Sequence, residues 1–136
     1  MDKAGHPYLT HLISVAIGAS QLTAAEFSEE AFVVGLLHDS IEDGYAENAE
    51  IRLMFGTPTL DAVLSVSRLK DSETYAEFIE RARQHPIGRL VKIADLQDNL
   101  RPERIDRLEL HKSRSLKDRY EKAMSTLAEM KSSPGA

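Results

Sequence analysis

Four polar residues crowd the segment LLHDSIEDGY, residues 36–45, directly after a run of large apolar side chains. They are His38, Asp39, Glu42 and Asp43. On an α-helix, at about 100° per residue, they share one arc of roughly 140°. Carboxylates so close together near a helix C-terminus repel one another and face the negative end of the helix dipole. Acidic residues on one helix face are more often simply solvated, so further metal ligands must come from elsewhere in the chain.

Two other segments supply such groups. His11 lies among the apolar residues of the first predicted helix, where a lone histidine is more often a core residue than a ligand. Asp95 lies in the apolar segment LVKIADLQDNL, with Asn99 one turn further on, and a carboxylate buried there needs a partner. Together His11, His38, Asp39 and Asp95 form a set of two histidines and two carboxylates. Such a set suits Mn²⁺, Fe²⁺ or Zn²⁺ better than Ca²⁺.

Helices must position these residues, because apolar residues recur at helical spacing almost throughout and predict an all-α fold. The first helix is predicted from Pro7 or Tyr8 to about Leu22. Its buried stripe is expected to be Leu9, Leu12, Ile13, Ala16 and Ile17. The second is predicted from Ser28 to Gly44, with the acidic segment in its last two turns. Its buried residues are expected to be Val33, Leu37 and Ile41.

Five more helices are expected, at about 46–55, 58–66, 73–84, 86–100 and 113–130. Gly56 separates the first two of these, and Ser72 is a candidate N-cap for the next. Pro86 opens the following helix and Pro102 ends it.

Composition limits the classes of function. The chain has 136 residues, 42% of them hydrophobic, and this predicts one domain at 1–131 with a disordered tail at 132–136. The absence of cysteine excludes disulfides, thiolate zinc sites and cysteine nucleophiles. A net charge of -5 argues against general nucleic-acid binding. The sequence shows neither a secretion signal nor an apolar run of membrane-spanning length, so we expect a cytoplasmic protein without a membrane partner.

Four ordered motifs resemble the HD-domain metal-dependent phosphohydrolases, and most closely the hydrolase domain of Rel/Spo enzymes and small alarmone hydrolases. GHPYLTHLISVA is similar to the family's G-x-P-Y-x-x-H-x-x-x-V-A, and LLHDSIED to L-L-H-D-x-x-E-D. FGTPTLDAVLSVSRL is similar to a segment that ends V-T-K-L, with Ser67 and Arg68 as substitutions. KIADLQDN is similar to K-x-A-D-x-x-x-N. The resemblance spans Gly5 to about Arg101 and implies a single-domain HD helical bundle.

The resemblance also implies roles for individual residues. His11, His38, Asp39 and Asp95 would hold Mn²⁺. The acidic pair Glu42 and Asp43 would handle the attacking water, and Asn99 would contact the nucleotide. A divalent ion lowers the pKa of bound water and shields phosphate charge, which agrees with hydrolysis of a phosphorylated nucleotide.

Basic residues beside the motifs are candidate contacts for phosphate or base: Lys3, Arg68 and Lys92. The relatives have another helix before the first motif, so an apolar face could remain uncovered here and favour a homo-oligomer.

Three other functions remain open at this point besides hydrolysis of a guanosine alarmone such as ppGpp. One is a general nucleotide phosphohydrolase. Another is a binding module that holds metal and nucleotide without turnover. The last is a helical interaction protein whose histidines and acids bind nothing.

Overall fold

A computed structural model describes residues 8–69, 71–101 and 110–129 of the chain. All regular structure in these residues is helical, which confirms the predicted all-α fold. A single 3₁₀ turn at Ala25–Phe27 precedes the second helix. The α-helices are α1 (Tyr8–Gln21), α2 (Ser28–Leu37), α3 (Asn48–Phe55), α4 (Thr57–Ser65), α5 (Tyr75–Gln84), α6 (Pro86–Asn99) and α7 (Leu110–Ala128).

Helix α6 lies at the centre of the bundle. It packs against α1, α2, α4, α5 and α7, and its Val91 and Leu96 are fully buried. Because α6 touches helices from both ends of the chain, a polar residue on it can meet side chains from distant segments. No helix among the described residues combines the length and apolar character needed to cross a bilayer.

The prediction that α2 continues to Gly44 is wrong, since the helix ends at Leu37. The Leu37 carbonyl accepts the backbone N–H of Ser40 at 2.9 Å and its hydroxyl at 2.7 Å, which tightens the chain into turns. Gly44 then takes a positive φ of 79°, a conformation open to glycine. His38 and Asp39 therefore lie at the exit of α2, in turns rather than on a continuous helix face.

The predicted buried stripe of α1 is also wrong in part. Leu9, Ile13 and Ile17 are 64%, 41% and 45% exposed, respectively. The buried residues of α1 are His11, Val15, Ala16 and Ala19. The close approach of α2 explains which face of α1 is buried, because a Cβ added at Gly35 would lie 2.7 Å from Cα of Ala16. Small residues allow this contact, whereas large ones would hold the two helices apart.

In α2 the fully buried positions differ from those expected. They are Ala31, Val34 and Gly35. Leu37 and Ile41 are partly buried and pack against the core, and Val33 is also only partly buried.

Capping residues set the ends of the later helices. Gly56, with φ of 93°, separates α3 from α4 as expected. Thr74, not Ser72, caps α5, because its side chain and that of Glu77 form a reciprocal capping box. Pro86 opens α6 as predicted. Pro7, Pro102 and the predicted tail at 132–136 lie outside the described residues, and the limits of the single domain stay a prediction.

Candidate metal centre

Three segments bring imidazole and carboxylate groups together. Helix α1 supplies His11, the exit of α2 supplies His38 and Asp39, and α6 supplies Asp95. The Nε2 atoms of His11 and His38 lie 3.0 Å and 3.4 Å from Oδ1 of Asp95. Asp39 Oδ2 lies 3.3 Å from Nε2 of His38. The side chains that the sequence selected thus meet at one place although they are far apart in the chain.

A second contact, at Nδ1, holds each imidazole ring in place. Nδ1 of His38 donates to the Gly35 carbonyl at 2.6 Å, and Nδ1 of His11 lies 2.7 Å from Oδ2 of Asp98, a carboxylate that can only accept. These bonds point each Nε2 toward Asp95. A metal-binding histidine is commonly oriented by such a second bond. Among the described residues, Nε2 of His38 is buried and has no hydrogen-bond partner.

This arrangement fits a cation. With Nδ1 protonated, a neutral imidazole turns the lone pair of Nε2 toward the carboxylate oxygens, and the pair repels them unless a proton or a metal ion lies between. The donor atoms of His11, His38 and Asp95 lie within 4.8 Å of one another, as a shared ion requires. Asp39 is outside that tightest group, although it is within reach of His38. The nitrogen and oxygen donors suit a divalent transition metal.

Burial and charge together shift the pKa values of the acids. Burial alone would raise the pKa of Asp95, but the Lys92 ammonium and the nearby imidazoles of His11 and His38 hold it well below 3.8. Burial raises the pKa of Asp39, and the nearby charge of His38 does not fully offset this. Asp95 is therefore a fixed negative charge at neutral pH.

The pKa of His38 follows from the same charges. Burial acts to lower it, yet the nearby carboxylates of Asp95 and Asp39 raise it above 6.5 overall. Without a metal the site consequently holds a proton at His38 more readily than an exposed histidine does. A metal ion would have to displace that proton, because only the unprotonated nitrogen can bind it.

Lys92, a predicted contact for phosphate or base, lies beside Asp95. Its Nζ is 2.7 Å from Oδ2 of Asp95, and its side chain is only 12% exposed. Asn99 Nδ2 lies 3.4 Å from Oδ1 of the same aspartate. Both residues therefore border the candidate metal centre, and Lys92 neutralises the Asp95 carboxylate.

The acidic pair that was expected on the helix face with the ligands lies instead in the turns after α2. Oε1 of Glu42 accepts the backbone N–H of Arg68 at 2.7 Å. Asp43 is exposed, and its backbone N–H bonds to the Asp39 carbonyl at 2.9 Å. Arg68 thus lies beside the acidic segment, whereas Lys3 is outside the described residues.

Sequence reasoning missed two residues beside the site. Asp98 is 5% exposed and orients His11, as described above. The sequence feature that could have revealed Asp98 is the spacing of the two aspartates in ADLQD, which lie one helical turn apart on α6. Tyr75 at the start of α5 was missed too, and its hydroxyl is buried without a hydrogen-bond partner among the described residues. Nothing in the sequence around Tyr75 marked it.

The chain is similar in sequence to known proteins. The chain is 33% identical over 114 residues to a GTP pyrophosphokinase of Myxococcus xanthus. It is 28% identical over 106 residues to a guanosine-3′,5′-bis(diphosphate) 3′-pyrophosphohydrolase of Aquifex aeolicus. It is 29% identical over 109 residues to the bifunctional (p)ppGpp synthase/hydrolase SpoT of Escherichia coli K12. No family model matches the chain.

The alignments cover 73–74% of this chain but only 15% of each of these three relatives. The similarity therefore concerns one segment of much longer proteins. The chain is a relative of the Rel/Spo proteins, and it shares with them a helical segment of the HD type.

Proposed function

We propose that this chain is a divalent-metal-dependent phosphohydrolase that removes the 3′ pyrophosphate from guanosine 3′,5′-bis(diphosphate). The observation that carries the proposal is the grouping of His11, His38 and Asp95, whose donor atoms lie within 4.8 Å of one another, with Asp39 3.3 Å from His38. A second contact at Nδ1 orients each imidazole ring. A site built this way favours hydrolysis over phosphate transfer between nucleotides, because it combines metal donors with nearby carboxylates that can handle water.

The relatives include both a pyrophosphokinase and hydrolases. Since the match covers 15% of each, the names alone do not assign either activity to this segment. The metal donors and nearby carboxylates support our proposal of hydrolysis. Mn²⁺ is our proposed ion, as the resemblance to the HD-domain phosphohydrolases implies, and two imidazoles with two carboxylates would suit Mn²⁺, Fe²⁺ or Zn²⁺.

Each residue has a proposed task. His11, His38, Asp39 and Asp95 would hold the ion, which would supply charge to offset the phosphate and lower the pKa of coordinated water. Asp95 stays ionised because Lys92 holds its other oxygen at 2.7 Å. Asn99 and Lys92 border the site from α6, where Asn99 would contact the nucleotide.

Glu42 and Asp43 would orient the attacking water and take its proton. Oε1 of Glu42 is fixed by the Arg68 backbone, and its Oε2 has no hydrogen bond within the described part of the chain. A carboxylate held by one oxygen keeps the other available as a general base. Lys3 and the side chain of Arg68 would contact phosphate or base. A cytoplasmic location and self-association stay predictions from the sequence.

The test combines metal analysis with a panel of nucleotides. Protein loaded with Mn²⁺ should convert guanosine 3′,5′-bis(diphosphate) to guanosine 5′-diphosphate and pyrophosphate, identified by ion-exchange chromatography and phosphorus NMR. Asp39→Ala should lose stoichiometric metal. Glu42→Gln should keep it while turnover falls about 10²–10⁴-fold, the usual contribution of a general base. Asp61→Asn, on the exposed side of α4, serves as the control with unchanged metal and turnover.

Other outcomes identify other functions. Hydrolysis of nucleoside monophosphates with the bis(diphosphate) left intact would indicate a general nucleotide phosphohydrolase. Nucleotide binding without product would indicate a binding module. Absence of both metal and nucleotide binding would leave a helical interaction protein. Equal loss of metal in Asp39→Ala and Glu42→Gln would contradict the separation of ligand and base.

A further inference from the structure

Two arginines approach the same aromatic ring beside the metal centre. The guanidinium carbon of Arg119, on α7, lies 3.7 Å from the ring centroid of Tyr75, and that of Arg68 lies 5.6 Å from it. We call these three residues the arginine–tyrosine clamp. Its members come from α7, from the start of α5 and from the segment between α4 and α5. The fold, rather than any local motif, therefore brings two positive charges to one tyrosine.

Two polar atoms of the clamp lack hydrogen-bond partners among the described residues. Nε of Arg68 and the Tyr75 hydroxyl are buried, and within the described part of the chain neither has a hydrogen bond. A buried donor without an acceptor costs free energy, so retention of two at one place indicates that a polar ligand satisfies them. Burial also raises the pKa of Tyr75, so its hydroxyl stays protonated and acts as a donor.

Several other cations among the described residues are already neutralised. Four such ion pairs are Lys92–Asp95, Arg81–Glu73, Arg83–Glu80 and Arg101–Asp98. By contrast, no ion pair joins Arg68 or Arg119 to a carboxylate of the described residues. In a chain with a net charge of -5, two unpaired guanidinium groups on one ring favour an anion from outside the protein.

The clamp adjoins the metal centre without belonging to it. Lys92, which holds Asp95, lies with Nζ 5.1 Å from the Phe78 ring centroid, and Phe78 contacts Tyr75 edge to face at 6.1 Å between centroids. Neither clamp arginine pairs with Asp39 or Asp95. The backbone of Arg68 meanwhile holds Glu42. The clamp is thus linked to the metal centre through the buried ring of Phe78 and through the Arg68 backbone.

We propose that the arginine–tyrosine clamp binds a second phosphate group of the substrate, separate from the one attacked at the metal, and so selects nucleotides phosphorylated at two positions. Guanidinium groups and a phenol match the acceptor oxygens of phosphate, and guanidinium forks bind them in pairs. The inference rests on the proposed function and adds to it a reason for substrate choice. Arg119 and Tyr75 become residues that determine specificity.

The experiment measures binding without turnover. In the Mn²⁺-loaded Glu42→Gln background, calorimetry gives the Kd of guanosine 3′,5′-bis(diphosphate) and of guanosine 3′-diphosphate, which lacks the 5′ phosphates. Adding Tyr75→Phe removes only the hydroxyl, and adding Arg119→Ala removes the charge. Each should weaken binding of the bis(diphosphate) about tenfold, the usual effect of one hydrogen bond to a charged group. Binding of the 3′-diphosphate should change less than about twofold.

Two further variants separate charge from fold. Arg119→Lys should restore part of the lost affinity, since it keeps the positive charge without the planar fork. Arg114→Ala, an exposed position on the same helix, should leave both Kd values unchanged. In the background that retains Glu42, Tyr75→Phe should raise KM for the bis(diphosphate) and leave kcat unchanged, because the clamp touches no reacting atom.

Specific results would overturn the inference. Equal weakening of both nucleotides would mean that the clamp supports the fold or the phosphate at the metal. No change with either nucleotide would mean that water or the protein alone satisfies the buried donors. If the expected difference in Kd appears but the chain with Glu42 intact releases no product, the clamp stands and the proposed hydrolysis fails.

Discussion

Replacing Asp98 by asparagine tests whether the proposed metal centre depends on a carboxylate that is not among its ligands. Oδ2 of Asp98 lies 2.7 Å from Nδ1 of His11, and Oδ1 lies 3.1 Å from the Arg101 guanidinium. The aspartate is 5% exposed, so water does not readily take its place. An asparagine oxygen can accept the same bond from His11, but it lacks the charge that strengthens the bond and makes the ring a better donor to a metal.

The expected magnitude follows from this bond. A buried hydrogen bond to a charged group contributes about 1.5–3 kcal/mol, and a neutral one about 1 kcal/mol. Asp98→Asn should therefore weaken the free energy of Mn²⁺ binding by about 1.4 kcal/mol, which raises the Kd about tenfold. Asp98→Ala leaves the buried N–H without an acceptor and frees the ring to turn. Its Kd should rise about 100-fold, the upper range for loss of such a partner.

The assay is calorimetric titration of Mn²⁺ into metal-free protein, with circular dichroism to show that each variant remains helical. Asp61→Asn removes an exposed aspartate from α4 and should bind Mn²⁺ with the affinity of the unmodified chain. The critical result is that affinity for Mn²⁺ falls in the order unmodified chain, Asp98→Asn, Asp98→Ala. If both Asp98 variants bind Mn²⁺ as tightly as the unmodified chain while Asp39→Ala does not, then Asp98 does not prepare His11 for the metal and the reasoning is refuted.

Two further predictions concern the fold that positions the site. Gly35→Ala should lower the free energy of unfolding by about 1–3 kcal/mol through overpacking against Ala16, as urea denaturation would show. Gly18→Ala, whose added Cβ would lie 3.2 Å from Cβ of Ala94, should be much milder, and equal losses would contradict the close α1–α2 contact. The bond to Arg81 lowers the pKa of Glu73 below 4.5. The ionised Glu73 side chain therefore stabilises the folded chain above pH 4.5, and this contribution is lost as the pH falls through the lowered pKa. Glu73→Gln should thus be less stable at pH 7, with the difference shrinking in acid; a difference independent of pH would contradict this.

Local rules predicted much of the helical framework. The apolar period indicated helices throughout, and Gly56 and Pro86 marked helix ends that the structure has at those residues. These signals act within one or two turns, so they do not depend on the rest of the fold. Polar residues in apolar surroundings drew attention to His11, His38, Asp39 and Asp95 for the same kind of reason, since an isolated buried charge needs a partner.

The choice of buried face was not local. By hydrophobicity alone, Leu9, Ile13 and Ile17 should face the core, yet they are exposed, while Ala16 and Ala19 are buried. Close packing against Gly35 outweighs the burial of larger side chains, and only the partner helix shows this. The end of α2 at Leu37 similarly depended on the bonds that Ser40 makes in the following turns.

The sequence by itself determined the all-α class and the residue types able to hold a metal, because periodicity and side-chain chemistry are properties of short segments. Only the tertiary structure decided that His11 forms a hydrogen bond with Asp98, that Lys92 neutralises Asp95 and that the Arg119 guanidinium lies over the Tyr75 ring. These contacts join different elements or depend on which way a side chain turns. Their energies depend on distance and burial, which exist only after the helices have packed around α6.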